Sequence, residues 1–468
     1  MSTGAILGVG FESVVRRTIL VFLLAAAFAC ASAASTAARE LTLPMDDGVQ
    51  IACGYDAQPG PSPAVMLFHG LGGNHQGLVA SIVPILSAAG YATLACDARG
   101  QGASGGLFDL DGPRTVADIR TQFAWLASQP GIDGSRIGAW GISLGGGAVL
   151  NSAVAGVPWA AIETVETWSD LYRALVPNGL PKTGAIFLFS ESIPERARSP
   201  ELTALLQDAL VGRNLGAIRA YTDARSSLSK LSQLKTPTFI FQGRKDFAFD
   251  IDQGTAAFRA LPEGPKRLYV GDFGHAPSTF PGPDYEYVFA QGLAWFNQWL
   301  KGSADGVQPA FALASDPWSR PVANEILPPT RSLRLVSRGS ATMAATGKIV
   351  RTLRLPPGKL ETFGAPVVRA RVSGSFTHLV AMLEDGRTLV SEGGMNLRAS
   401  AKPRWVTFRL ISDAVRLRGR SLRLTLAATS TVQSPDNLLY PVGVDARGRL
   451  RVGSVTVTLP VLRKPVSR

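Results

Sequence analysis

From about residue 40 to residue 305 the chain alternates between two periods. Short apolar runs bounded by glycine or proline give way to stretches in which apolar side chains return every three or four positions, and then the runs resume. The first pattern suits strands buried on both faces and the second suits helices lying against them. Ala64–Phe68, Tyr91–Cys96, Ser135–Trp140, Thr236–Phe241 and Arg267–Val270 read as strands. Gly77–Ala89, Leu144–Val154 and Tyr285–Leu300 read as helices, the first stopped by Gly90 and the last by Gly302. Val116, Ile119, Phe123 and Leu126 mark another helix, with Thr115 and Asp118 placed as a capping box and Pro130-Gly131 as its end. The alternation predicts an α/β module whose mostly parallel sheet is covered on both faces.

Two regions depart from this rhythm. Residues 166–235 hold Trp168, Tyr172, Phe187 and Phe189 within helical patterns and no strand run, as expected of a helical cap inserted into the sheet. After Gly306 the period becomes two. Val368, Ala370 and Val372 alternate with Arg369 and Arg371; Val406, Phe408 and Leu410 with Thr407 and Arg409; Leu422, Leu424 and Leu426 with Arg423 and Thr425. Asp385-Gly386 between Leu379–Leu383 and Thr388–Val390 signals a hairpin. Residues 306–468 are therefore expected to form an all-β sandwich, and residues 34–305 the α/β module.

Composition sharpens this division. Apolar residues make up 46% of the 468 and charged residues 18%, which excludes a disordered or fibrous chain. Residues 306–468 carry 25 basic and 9 acidic side chains, whereas the remainder carries 22 and 26. At the start, Arg16-Arg17 precede an apolar run that ends in Ala31-Ser32-Ala33, the layout of a secretory signal peptide over residues 1–33. An uncleaved anchor is the alternative, and Cys30 offers a weak lipidation site. A periplasmic or secreted protein is expected, with no stable membrane span after cleavage and no nucleic-acid partner. Three cysteines and four histidines are too few for a disulfide scaffold or a Cys/His zinc site. Phosphate-loop and His-Glu-x-x-His patterns do not occur, and no Gly-x-Gly-x-x-Gly opens a helix behind a strand, so no metal and no cofactor is expected.

The chemistry centres on serine. Gly102-Ala103-Ser104-Gly105-Gly106 and Gly141-Ile142-Ser143-Leu144-Gly145 both fit Gly-x-Ser-x-Gly, a weak pattern in a chain with 49 glycines. A nucleophile elbow needs a strand before the serine and a helix after it, and Ser143 alone has both. A serine hydroxyl needs a base, and the base an orienting acid, in the chain order Ser, Asp/Glu, His. His275, in Gly271-Asp272-Phe273-Gly274-His275, lies downstream of Ser143 within the α/β module, whereas His378 belongs to the β-module. Asp246, Asp250, Asp252 and Asp272 are the candidate acids. Asp246, a short turn beyond strand Thr236–Phe241, is favoured over Asp250. Oxyanion donors are expected from the N–H groups of Leu144 and of Leu71 in His69-Gly70-Leu71-Gly72. His69 is expected to structure its loop.

These residues resemble the α/β-hydrolase superfamily and, more narrowly, its Xaa-Pro dipeptidyl-peptidase and cocaine-esterase-like acyl esterase group. The resemblance rests on His69–Gly73, Asp97-Ala98-Arg99-Gly100-Gln101-Gly102, Gly141–Gly145, Gly243-Arg244-Lys245-Asp246 and Gly274-His275. In the second module Ala323-Asn324-Glu325-Ile326-Leu327-Pro328 and Leu389-Val390-Ser391-Glu392-Gly393 are similar to the group's jelly-roll domain. The resemblance implies an exported serine hydrolase that takes a small-molecule ester or a peptide substrate through an acyl-enzyme. The group often has Tyr where this chain has Leu144, and often uses a tyrosine hydroxyl as an oxyanion donor. Those departures favour an esterase over a proline-specific aminopeptidase. The superfamily's sheet order, if it holds, makes the strands of Cys53 and Cys96 neighbours, and a disulfide between them is an open alternative. A reading from another class makes the basic β-module a binder of acidic envelope polymers, against which stands the plainer view that Arg369, Arg371, Arg409 and Arg423 line the solvent side of sheets.

Overall fold

The β3 sequence, Ser-Pro-Ala-Val-Met-Leu-Phe over Ser62–Phe68, is buried throughout and sits at the middle of the main sheet. Around it lie β1 (Arg39–Pro44), β2 (Gln50–Asp56), β4 (Ala92–Cys96), β5 (Ile132–Ile142), β6 (Ile162–Val165), β7 (Thr238–Gly243), β8 (Lys266–Gly271), β9 (Phe311–Ala314) and β10 (Pro321–Asn324). Their order is β1-β2-β4-β3-β5-β6-β7-β8-β9-β10. Strands from β4 through β9 run parallel to their neighbours; the β1–β2, β2–β4 and β9–β10 pairs are antiparallel. The computed structural model describes residues 38–303, 309–430 and 448–467, so the expected leader over residues 1–33 lies outside the described residues. Among those described, no helix is long and apolar enough to cross a membrane.

Alternation along the central strands feeds two cores. Met66 and Phe68 face one layer with Ile119, Leu126 and Val149; Val65 and Leu67 face the other with Leu86, Trp295 and Phe296. Each such side chain, fully buried, contributes about 1.5–3 kcal/mol. The helices are α1 (His75–Ser81), α2 (Val83–Ala88), α3 (Pro113–Ala127), α4 (Leu144–Val154), α5 (Leu171–Leu175), α6 (Thr183–Glu191), α7 (Pro200–Leu210), α8 (Leu215–Asp223), α9 (Ile251–Ala260) and α10 (Tyr285–Lys301). The expected single helix over 77–89 is two, because Pro84 opens a new first turn in α2. The capping box at Thr115 does not form: Gly112 is the N-cap, Asp109 caps the Arg114 and Thr115 N–H groups, and Asp118 is drawn instead to Arg99 at 2.7 Å. Helices α5 to α8 and three short 3-10 turns fill the interval between β6 and β7, where the cap was expected.

The second region is two antiparallel sheets, one built on strands 330–337, 367–374, 400–409 and 449–462 and the other on 348–354, 378–385, 388–396 and 421–427. Their inward side chains form one core, with Val368, Leu424 and Val457 fully buried. Asp385 pairs with Thr388 across the expected hairpin. The expected start of this module at 306 needs correction. Phe311–Ala314 joins β8 in parallel and Pro321–Asn324 returns beside it, so the first sheet extends to residue 324. Arg369, Arg371, Arg409 and Arg423 are exposed, as alternation requires. Arg423 pairs with Glu384 at 2.6 Å and Arg409 with Asp252 at 2.6 Å.

Cys53 on β2 stands directly opposite Cys96 on β4, and the two are joined in a disulfide.

Candidate active site

Ser143 sits between β5 and α4 with φ 53° and ψ −113°, a left-handed conformation that a serine adopts only when its surroundings impose it, at a cost of about 1–3 kcal/mol. Close packing on both sides imposes it here. A Cβ on Gly141 would lie 2.2 Å from the Gly145 oxygen, and one on Gly145 would lie 2.1 Å from the Phe68 oxygen. The elbow is also pinned to β6: the Ser143 N–H donates to Val165 O at 2.9 Å, and the Thr167 hydroxyl donates to Ser143 O at 2.7 Å.

The Ser143 hydroxyl lies 2.9 Å from His275 Nε2, and His275 Nδ1 lies 2.7 Å from Asp246 Oδ2. A carboxylate only accepts, so the proton sits on Nδ1 and Nε2 is free to accept from Ser143. Asp246 is fully buried and held at both oxygens. Oδ1 accepts the Ala248 and Phe249 N–H groups at 2.9 and 2.8 Å, while Oδ2 also accepts the His275 N–H at 3.1 Å. Glycine lets the acid and base loops lie back to back, since a Cβ on Gly243 would come within 2.3 Å of Phe273 O. Phe249 and Phe189 meet the imidazole edge-on at 5.2 and 6.3 Å. Burial opposes a charge on His275, but the carboxylate of Asp246, with Glu166 beside it, outweighs burial and lifts the imidazole to about 9.

The loop bearing Leu71 lies against the serine. A Cβ on Gly70 would stand 3.5 Å from Ser143 Cβ, and Leu144, as the first residue of α4, has an N–H with no intrahelical acceptor. His69 ties this loop down as expected: its Nδ1 donates to Gly70 O at 2.7 Å and its Nε2 accepts the Ala98 N–H at 2.9 Å. Ser104 is buried away from this site, accepting the Ala52 N–H at 3.0 Å and donating to Asp97 O at 3.2 Å. The rival acids point elsewhere. Asp250 accepts the Ser412 N–H and Asp252 the Ser412 hydroxyl, both in the β-module; the Asp272 N–H donates to Asp284. His378 contacts Thr377 in the sandwich.

Three contributors were not foreseen from the sequence. Lys182, buried at the head of α6 in the cap, donates to Phe247 O at 2.7 Å and Ala248 O at 3.1 Å, gripping the acid turn from the side opposite Asp246 Oδ1. Arg244 is wholly buried and donates to Ala414 O, Ala314 O and Glu361, so the same turn is bolted to the β-module. Glu166, at the end of β6 with φ 41°, places a carboxyl beside the other two side chains: one of its oxygens, one carboxylate oxygen of Asp246 and one ring nitrogen of His275 lie within 4.8 Å of one another. Burial, with the charge of Asp246 adding, raises that carboxyl to about 8. In the sequence it was only one of two glutamates in Ile162-Glu163-Thr164-Val165-Glu166, with no turn or glycine to single it out. Among the described residues, the other acidic group with metal-ligand spacing is Asp46, Asp47 and Asp118, and those carboxylates are engaged by Arg99 and Arg114.

The arrangement as a whole can pass a proton from a hydroxyl on a strained turn to a half-buried imidazole held by a carboxylate. The chain is similar to several known proteins. A protein of Escherichia coli, the uncharacterized 31.7 kDa protein of the traX-finO intergenic region, is 24% identical over 275 residues, covering 51% of this chain and 91% of its own. The fold is shared with a CocE/NonD family hydrolase from Staphylococcus aureus, at a TM-score of 0.74 and 14% identity over 91% of this chain and 93% of that one. It is shared also with an α-amino acid ester hydrolase, at 0.71 and 13% identity over 94% and 99%. The model of the X-Pro dipeptidyl-peptidase (S15) family matches residues 33–277, more than half of the sequence. The chain belongs to that family and is a hydrolase of ester or peptide bonds.

Proposed function

We propose that the protein is an exported serine esterase that works through an acyl-enzyme, with Ser143 as nucleophile, His275 as base and Asp246 as the acid that orients it. The observation that carries this reading is the unbroken line of contacts from Asp246 through His275 to the hydroxyl of Ser143. In the first half-reaction the Ser143 Oγ–H proton passes to His275 Nε2 as Oγ bonds to the carbonyl carbon, and the carbonyl electron pair moves onto oxygen. The Leu71 and Leu144 N–H groups receive that oxyanion; one such donor is worth roughly 100- to 1,000-fold in rate. Collapse restores the carbonyl and expels the alkoxide, which takes the proton from Nε2. Water then gives a proton to Nε2, attacks the acyl carbon, and Ser143 leaves with that proton restored.

Ester substrates are favoured by the walls of the site. Leu71, Leu144, Phe189 and Phe249 belong to one apolar cluster, which suits uncharged acyl and alcohol groups better than the ammonium of a peptide amino terminus. Export is supported by the Arg16–Ala33 leader pattern and by the Cys53–Cys96 disulfide, a bond that persists in oxidising compartments. A series of p-nitrophenyl esters of increasing acyl length, run beside Gly-Pro and Ala-Pro amides, tests the assignment. Turnover of the esters with Ser143-dependent labelling by a fluorophosphonate is expected; turnover of the amides alone would overturn the esterase reading.

A further inference from the structure

Asp246 already supplies the acid for His275, yet a second carboxyl stands at the same imidazole. Glu166 is 4% exposed, and its Oε2 has no hydrogen-bond partner. An orphaned, buried carboxyl oxygen is destabilising, and the left-handed backbone at Glu166 adds strain to that cost. The position is fixed from both sides: its N–H donates to Phe241 O on β7 at 2.8 Å, and its neighbours Val165 and Thr167 both hold the Ser143 backbone. The residue is therefore locked into the same strand ends that carry the nucleophile and the acid.

We propose that Glu166 is a positioning residue, a reserve acid able to orient His275 when Asp246 cannot. The proposal rests on the serine-hydrolase reading above and adds a residue to it. The charged groups facing the cluster are Asp246 and His275 themselves and Lys182 of the cap, whose ammonium faces Asp246 and His275 and disfavours the imidazolium. Burial raises the Glu166 carboxyl to about 8, and the charge of Asp246 adds to that rise. Removing the Asp246 charge lifts that second part of the restraint. Glu166 then ionises at lower pH, its carboxylate accepts the His275 ring N–H, and the other ring nitrogen remains free to take the Ser143 proton. The Glu166 carboxyl proton is released to solvent, and the hydrogen bond lost with Asp246 is replaced by one to Glu166.

The test is a cycle of Asp246→Asn and Glu166→Gln on the full chain, measured as kcat for a p-nitrophenyl ester across pH 6 to 10. Loss of the orienting acid alone costs on the order of 10,000-fold where nothing replaces it. Here Asp246→Asn is expected to lose much less than that and to recover activity as pH rises. Glu166→Gln is expected to lower kcat at least tenfold more in the Asp246→Asn background than on the wild-type chain, and to abolish the pH-dependent recovery. Equal losses in both backgrounds would overturn the proposal, as would recovery that persists without the Glu166 carboxyl. Thermal unfolding of each variant separates lost packing from lost orientation, and Glu166→Asp, which keeps the charge, is expected to restore part of the recovery. Ser143→Ala distinguishes the two levels: activity surviving that change would remove the serine reading itself, whereas an inactive Ser143→Ala with an additive cycle removes only Glu166.

Discussion

Ser104 and Ser143 stand in the same five-residue pattern and have opposite fates. At 141–145 the glycines are there for closeness, since a Cβ at either end would drive into backbone oxygen, and the serine is forced into a left-handed turn that lifts its hydroxyl out of the sheet. At 102–106 Gly102 itself takes the left-handed conformation, at φ 50°, with Asp97 carboxylate oxygen 2.2 Å from where a Cβ would be. There the loop absorbs the bend, and Ser104 turns inward to stitch β2 to the loop after β4. A strand before the serine and a helix after it decide which residue is strained, and the strain decides which hydroxyl is reactive.

The largest contrast is expected from the two alanine variants. Ser143→Ala should cut ester turnover on the order of a million-fold and abolish fluorophosphonate labelling, leaving thermal stability near that of the parent. Next comes Gly145→Ala. Its methyl must displace Phe68 or the elbow, so unfolding measurements should show a loss of about 1–3 kcal/mol, with kcat reduced as well. The equivalent loss of closeness has no counterpart at Gly105, whose Cβ would meet nothing nearer than 3.6 Å, and Gly105→Ala should be silent in both assays.

The pH profile gives a third expectation. His275 must be neutral to accept the serine proton, and its folded value is raised, so the active form is lost as pH falls through a point above the ordinary imidazole value near 6.5. The acid limb of kcat/KM should therefore lie on the alkaline side of 6.5. A limb at or below 6.5 in the parent enzyme would contradict the electrostatics. A smaller effect, confined to stability, belongs to Ser104→Ala, which leaves the Ala52 N–H without its acceptor. About 1–2 kcal/mol of stability should be lost, with kcat unchanged.

Much of this site was legible because its parts are local. The elbow declares itself through glycine spacing between a strand and a helix, and His275 emerges because few histidines compete for the role. Asp246 was readable from its place one turn beyond β7. What escaped was tertiary. Lys182 lies in a cap helix with nothing in its neighbourhood to tie it to residues 247 and 248, and Glu166 becomes conspicuous only when β6 is set between β5 and β7. Strand β6 itself, four residues long with a glutamate inside it, carries too little apolar length to stand out. The α3 cap failed for the same kind of reason. Thr115 and Asp118 have the right spacing, but a buried ion pair with Arg99 offers Asp118 more than a solvent-facing cap does.

Arg244 has a further implication for how this enzyme can be divided. Its guanidinium, two residues of chain before Asp246, is fully enclosed, and among its partners Glu361 and Ala414 come from the β-module. Cutting the chain after β10 would leave that cation only the Ala314 carbonyl among these partners and no carboxylate, and the turn that carries Asp246 would be the first casualty. The sandwich is thus no detachable appendage: a shortened gene, or a chimera that borrows a foreign sandwich, would inherit a working imidazole only if it also inherited a carboxylate and a carbonyl to face that arginine.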